Sequence, residues 1–349
     1  MKALTVVPKQ ASSARIGDLP DPPESDGPVL VDVLAVGVCG TDMEILRGDY
    51  GWAPPGHERL VLGHESLGRV AEAPAGSGLE PGDLVVGIVR RPDPVPCYSC
   101  AVGEWDACRN GQYVEHGIKE IDGFMRERWR GSPEAMVKVD SSLGVLGVLL
   151  EPASVVAKAW DVVGRVGHRE SWKPRTVAVL GAGPIGLLAA LIGVERGYKV
   201  HVVDQVQAGL KPDLVRALRA EYHTGDLTTA VDQPDVVIEC TGVPKLVFDA
   251  ISAVGIGGVV CLTGVSPVGA EVDLDGGALA RSTVLENKCV VGSVNANKRH
   301  YEAAAKVLAK ADKDWLSRLL TRRVPLDRYA EALDHQPDDV KVVVEIGAA

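Results

Sequence analysis

A glycine-punctuated turn in the second half of the chain most constrains what it can fold into. Gly181-Ala-Gly183-Pro184-Ile185-Gly186 follows the apolar run Thr176-Val-Ala-Val-Leu180 and opens an apolar stretch of helical length. In that strand-to-helix setting Gly181 permits a tight turn, Gly183 lets the backbone approach a pyrophosphate, and Gly186 lets the helix pack closely on the strand. Pro184 and Ile185 begin the helix, whose free N–H groups and dipole favour a phosphate. Asp204 closes the next strand-like run, 18 positions after Gly186. Its carboxylate suits the adenosine ribose hydroxyls of NAD and repels the 2'-phosphate of NADP. Gln205-Val206-Gln207 offers that phosphate no arginine, although Lys211 is close in sequence. NAD is favoured, with NADP as the alternative.

Strands alternate with helices around this turn. Strands are expected at Thr176–Leu180, 200–203, 235–239 and 258–262, and helices at 184–197, 212–220 and 245–254. That alternation builds a doubly wound parallel sheet, an α/β architecture. The first half differs: short β-rich runs at 29–38 and 84–89, bounded by Gly, Pro and Asp, suggest an antiparallel, barrel-like domain. An Ala-rich helix at 301–310 and a strand at 341–346 lie far beyond the alternating region. The expected domains are therefore 1–155 with 297–349, and 156–296.

Composition excludes some function classes. A formal charge of −10 argues against general attraction to nucleic acid or anionic membranes. The sequence shows no unbroken apolar run of membrane-spanning length and no export signal, so a cytoplasmic protein is expected. Seven cysteines, an odd number, do not read as a disulfide framework.

Cys39-Gly-Thr41, Gly63-His64-Glu65 and Glu151-Pro152 supply a thiolate, an imidazole and carboxylates. That donor set suits Zn2+ with one coordination position open, the mark of a catalytic zinc. A Lewis-acid metal combined with a nicotinamide cofactor points to alcohol oxidation by hydride transfer. Adjacent His64 and Glu65 cannot point the same way from an extended strand, so either one lies behind the other or the backbone bends. Glu151 ends an apolar run, where a carboxylate needs a partner. Which of Glu65 and Glu151 ligates the metal stays open.

Cys97-x2-Cys100-x7-Cys108 has structural-zinc character, with Asp93 as the nearest fourth donor; three free thiols are the alternative. Thr241, and Thr263-Gly264-Val265, end two strands of the alternating region, where ligands bind in open α/β sheets. Ser293 and Asn295 lie in a segment expected to reach cofactor or substrate. Glu115 and Asp122 are candidate polyol acceptors.

These segments together resemble the zinc-dependent medium-chain dehydrogenases over nearly the whole chain. Arg90-Arg91-Pro-Asp, Glu115-His-Gly-Ile, Asp122-Gly-Phe-Met-Arg-Glu127 and Gly292-Ser-Val-Asn-Ala-Asn-Lys-Arg-His300 are similar to the glucose 1-dehydrogenase branch. The resemblance implies a GroES-like catalytic domain, a Rossmann domain, a cleft between them, and a homodimer or homotetramer. It further implies oxidation of an aldose, typically D-glucose, at C1 to the lactone. Carried over by position, Cys39, His64 and either Glu65 or Glu151 hold zinc. Thr41, Glu115, Glu151 and Asn295 surround a small neutral sugar, and Lys341 touches the cofactor. Alternatives are another polyol or cyclitol as substrate, and a non-catalytic cofactor-sensing protein.

Overall fold

In the computed structural model, which describes residues 1–347, the chain divides into two units, Met1–Ser154 with Asn295–Ala349, and Val155–Val294. The first is organised by the strand Val29–Gly37, whose run of Val, Leu and Ala is buried almost throughout. Glu65–Glu72 pairs antiparallel along one edge of it, with register breaks that mark bulges. Along the other edge its first half pairs with Arg128–Gly131 and its second half with Lys341–Glu345. Leu320–Pro325 continues the sheet beyond Lys341–Glu345, while Leu84–Gly87 and Met136–Lys138 extend the opposite side. Trp129, Phe124 and Met125 fill the core beneath.

One consequence of this register matters for chemistry. Gly37, at the end of the central strand, lies opposite Glu65 at the start of its neighbour. On the other side Gly37 pairs with Val343, and the Val38 N–H donates to the Val342 carbonyl. Residues far apart in sequence thus meet at one end of three adjacent strands.

The second unit is a six-stranded, all-parallel sheet. Its order is Glu221–His223, Lys199–Val203, Thr176–Leu180, Val236–Glu239, Val259–Leu262, Cys289–Gly292. That is the doubly wound dinucleotide-binding order. The expected helix at 184–197 is Pro184–Glu195, because Gly197 turns left-handed at φ 81°. The strand Glu221–His223 and the helix Gly276–Leu285 were not legible beforehand: the strand has three residues, and the helix buries none of its residues. The apolar helical stretch Ser141–Gly167 is long enough to cross a bilayer, but 72% of its most apolar window is buried inside the protein, as in a core helix.

The glycine turn tests the packing argument directly. A Cβ on Gly186 would lie 1.8 Å from the Gly181 carbonyl oxygen, whereas one on Gly183 would meet no atom within 4 Å. Gly186→Ala is therefore expected to destabilise the chain by about 2 kcal/mol or more. Gly183→Ala is expected to change stability by less than about 1 kcal/mol. Urea unfolding of the two variants checks the contrast.

Candidate active site

Cys39 caps the helix Gly40–Arg47, which begins where the central strand ends. The cap is held by Asp42, whose Oδ2 accepts the Cys39 N–H at 2.8 Å. Asp42 is fully buried, and its other oxygen, Oδ1, lies 3.4 Å from Nδ1 of buried His64. Neither of those two atoms has a hydrogen-bond partner. Burial disfavours charge on His64, but Asp42 and Cys39 outweigh it and hold the imidazole well above its ordinary pKa. Ligand atoms of Cys39, His64 and Glu65 all lie within 4.8 Å of one another. Gly63 makes this possible: its left-handed φ of 87° bends the backbone just before His64.

Glu65 is not free-standing. Lys341 Nζ donates to both of its oxygens at 2.7 Å, and to the Val38 carbonyl at 3.0 Å. Lys341, expected beside the cofactor, is thus spent on a carboxylate within its own sheet. Both side chains are about 2% exposed, so each charge depends on the other. Gly37 makes room for this pair, since a Cβ there would lie 2.0 Å from Glu65 Oε2. Glu151 is buried near them, its carboxyl pushed up to about 7 by burial, with the His64 charge opposing and the Glu65 charge adding to the rise. Thr41 sits in the first turn of the capped helix.

Glu115 and Asn295 do come together. Arg90 Nε at 3.0 Å and Asn295 Nδ2 at 2.8 Å both donate to Glu115 Oε1. Asn295 adopts φ 62°, a left-handed conformation that asparagine tolerates. Asp122 instead serves the fold, its Oδ1 accepting the Val61 N–H.

In the cysteine lobe, the sulfurs of Cys97, Cys100 and Cys108 lie within 4.8 Å of one another. Asp93 Oδ2 is 3.7 Å from Cys108 Sγ, while Asp93 Oδ1 accepts the Val95 N–H. Backbone N–H groups of Arg109 and Cys100 pull the Cys97 thiol down to about 6, and burial pushes Cys100 up to about 11.

In the parallel-sheet unit, Gly181 is left-handed at φ 96°, and Pro184 and Ile185 form the first turn of the following helix. Asp204 is tied to this loop, accepting from the Ala182 N–H at 2.6 Å and the Val206 N–H at 2.9 Å. Glu239, unassigned in the sequence reading, is fully buried and accepts from the Thr241 and Gly242 N–H groups. Its carbonyl accepts the Thr263 hydroxyl. A Cβ on Gly264 would come within 2.1 Å of the Gly242 nitrogen, so the two strand-end loops pack backbone to backbone. Val265 is exposed, and Ser293 Oγ is buried without a hydrogen-bond partner. Asp42 and Glu239 were each missed although a signal existed for one: Asp42 stands three residues after a helix-capping position, where a capping box places a carboxylate.

The fold and this donor set define a medium-chain, zinc-dependent alcohol dehydrogenase. Residues 25–141 match the alcohol dehydrogenase GroES-like domain, and residues 144–346 match the glucose dehydrogenase C-terminus. The chain belongs to the glucose dehydrogenase family. It is 38% identical over 360 residues to a glucose 1-dehydrogenase of Methanocella arvoryzae, covering 100% of both chains. To glucose 1-dehydrogenase 1 of Caldivirga maquilingensis it is 41% identical over 352 residues, covering 99% of each. A solved structure, Haloferax mediterranei glucose dehydrogenase in complex with NADP, Zn and gluconolactone, superimposes with a TM-score of 0.92 at 33% identity, covering 100% of both chains.

Two measurements probe the geometry. Lys341→Met leaves Glu65 buried and uncompensated and is expected to cost about 3–5 kcal/mol in urea unfolding. Adding Glu65→Gln is expected to recover part of that loss. In metal-free protein, Cys97 is expected to be alkylated by iodoacetamide at pH 7 well ahead of Cys100, because it is mostly thiolate above about 6. Its rate falls as pH drops through that value, and peptide mass spectrometry follows both sites.

Proposed function

We propose that this chain oxidises an aldose at C1, D-glucose to its lactone, using a zinc ion and a nicotinamide dinucleotide. The convergence of Cys39, His64 and buried Glu65 at one end of three strands carries the reading. A thiolate, an imidazole and a carboxylate fit a zinc that keeps one position open for substrate. Cys39 and His64 are two ligands; Asp42, facing Nδ1, fixes the ring so that Nε2 is the donor. Glu151, buried beside His64 and Glu65, is the third, because Lys341 holds both oxygens of Glu65. Zinc bound there supplies Lewis acidity that lowers the pKa of the sugar hydroxyl. A bound nicotinamide dinucleotide would supply the acceptor for the hydride from C1.

The chain's own groups do the rest. Thr41 takes the hydroxyl proton and releases one toward solvent. Glu115, its Oε1 already fixed by Arg90 and Asn295, offers Oε2 to another sugar hydroxyl. The loop Gly181, Gly183, Pro184, Ile185 and Gly186 receives the pyrophosphate, and Gly183 needs no smallness for packing, which points its role toward a ligand. Asp204, with both oxygens anchored, accepts from ribose hydroxyls and favours NAD over NADP. Thr241, Thr263, Gly264, Val265 and the orphaned hydroxyl of Ser293 complete the cofactor contacts.

Asp93, Cys97, Cys100 and Cys108 hold a second, structural zinc under the same proposal. Residues Met1–Ser154 with Asn295–Ala349 act as the catalytic domain and Val155–Val294 as the dinucleotide domain. Seven free thiols suit a reducing, cytoplasmic setting. The sheet edge at Cys289–Gly292, flanked by exposed Val284, Leu285 and Val294, supports a homodimer or homotetramer.

A panel of aldoses and cyclitols with NAD and with NADP, followed by NAD(P)H absorbance, tests the substrate. D-glucose with NAD is expected to give the highest kcat/KM; preference for a cyclitol would replace glucose by that alternative. Glu151→Gln is expected to lose the catalytic zinc and more than about 100-fold in kcat. Zinc retained at wild-type level in Glu151→Gln but lost in Glu65→Gln would reverse the ligand assignment.

A further inference from the structure

The parallel-sheet unit carries a cluster that the dehydrogenase reaction does not use. Lys199–Val203 and the edge strand Glu221–His223 run parallel, with His201 opposite Glu221 and Val203 opposite His223. Because strand side chains alternate, His201, Glu221 and His223 project from one face. His201 Nδ1 and His223 Nε2 are 2.9 Å apart, and Glu221 Oε2 lies 3.4 Å from the first and 3.8 Å from the second. These are the separations that a single small cation imposes on three ligands. A point about 2.0 Å from all three atoms satisfies them, close to ordinary zinc–nitrogen and zinc–carboxylate distances.

We infer that His201, Glu221 and His223 form a zinc-binding site at the edge of the parallel sheet, independent of the catalytic donors and of the cysteine lobe. Two imidazoles and one carboxylate suit Zn2+, and not the all-oxygen preference of Mg2+ or Ca2+. Solvent completes the coordination, since Glu221 is exposed and His223 is partly so, while His201 is buried. Lys199 Nζ binds the other carboxylate oxygen, Oε1, at 3.0 Å, which leaves Oε2 turned to the imidazoles. In the absence of an ion the two rings share one N–H···N hydrogen bond; the ion replaces it and pins a three-residue edge strand, with few ladder bonds of its own, to its neighbour.

The test uses the full-length protein with its catalytic site and its cysteine lobe already zinc-loaded. Zn2+ is titrated against a chromophoric chelator, while long-range 1H–15N spectra follow the histidine ring nitrogens and thermal unfolding follows stability. One further equivalent is expected to bind with micromolar affinity, shifting the Nδ1 resonance of His201 and the Nε2 resonance of His223. The melting temperature should rise by a few degrees. His223→Gln, at a partly exposed position, is expected to remove that equivalent and the thermal gain. An equal zinc count in wild type and His223→Gln, or ring nitrogens unmoved at saturating zinc, would overturn the inference.

Discussion

The register that sets Gly37 against Glu65, with Lys341 one strand over, is the constraint on which the candidate active site depends. It draws residues from near the start, the first quarter and the far end of the chain to one end of three adjacent strands in a buried sheet. At that point a carboxylate and an ammonium are both withdrawn from water and hold each other at 2.7 Å. Such a pair adds little net stability compared with apolar packing, and removing one partner is costly. Its value here is local: it fixes a negative charge beside Cys39 and His64 without exposing that charge to solvent. Asp42 does the same from the other side, tying the Cys39 backbone and facing the His64 ring. The thiol and imidazole are thus positioned by carboxylates that belong to the scaffold.

The parallel-sheet unit uses the same device in a different place. Buried Glu239 gathers N–H groups from the loop after its own strand and ties in the next through Thr263, while Asp204 clamps the glycine turn. Loops at strand ends are mobile by default. Here two carboxylates organise them before any ligand arrives, which lowers the ordering cost of binding.

Much of this was legible in the sequence. The glycine turn, its preceding strand and the acidic strand end identified the doubly wound sheet, because tight turn, close packing and phosphate approach each demand glycine at a fixed spacing. Cys39, His64 and Glu65 were recognisable as donors by type. What escaped was set by long-range pairing. Nothing local announces that Lys341 will meet Glu65, or that Glu115 will be held by Asn295 across most of the chain. The edge strand Glu221–His223 is three residues long and shows no periodicity, so the approach of its histidine to His201 was hidden as well. Asp42 had a local signature in its capping position, but its buried contact with His64 exists only once the sheet has formed.

Cys39 and His64 are proposed to converge on one zinc, with Asp42 behind the imidazole. Anomalous diffraction at the zinc edge, from crystals of the zinc-loaded full-length protein, tests it most directly. A peak about 2.3 Å from Cys39 Sγ and about 2.0–2.1 Å from His64 Nε2, with Asp42 still facing Nδ1, is the result expected. No peak at that position in protein that oxidises sugar, or a peak bonded to His64 through Nδ1 with Asp42 displaced, would contradict it.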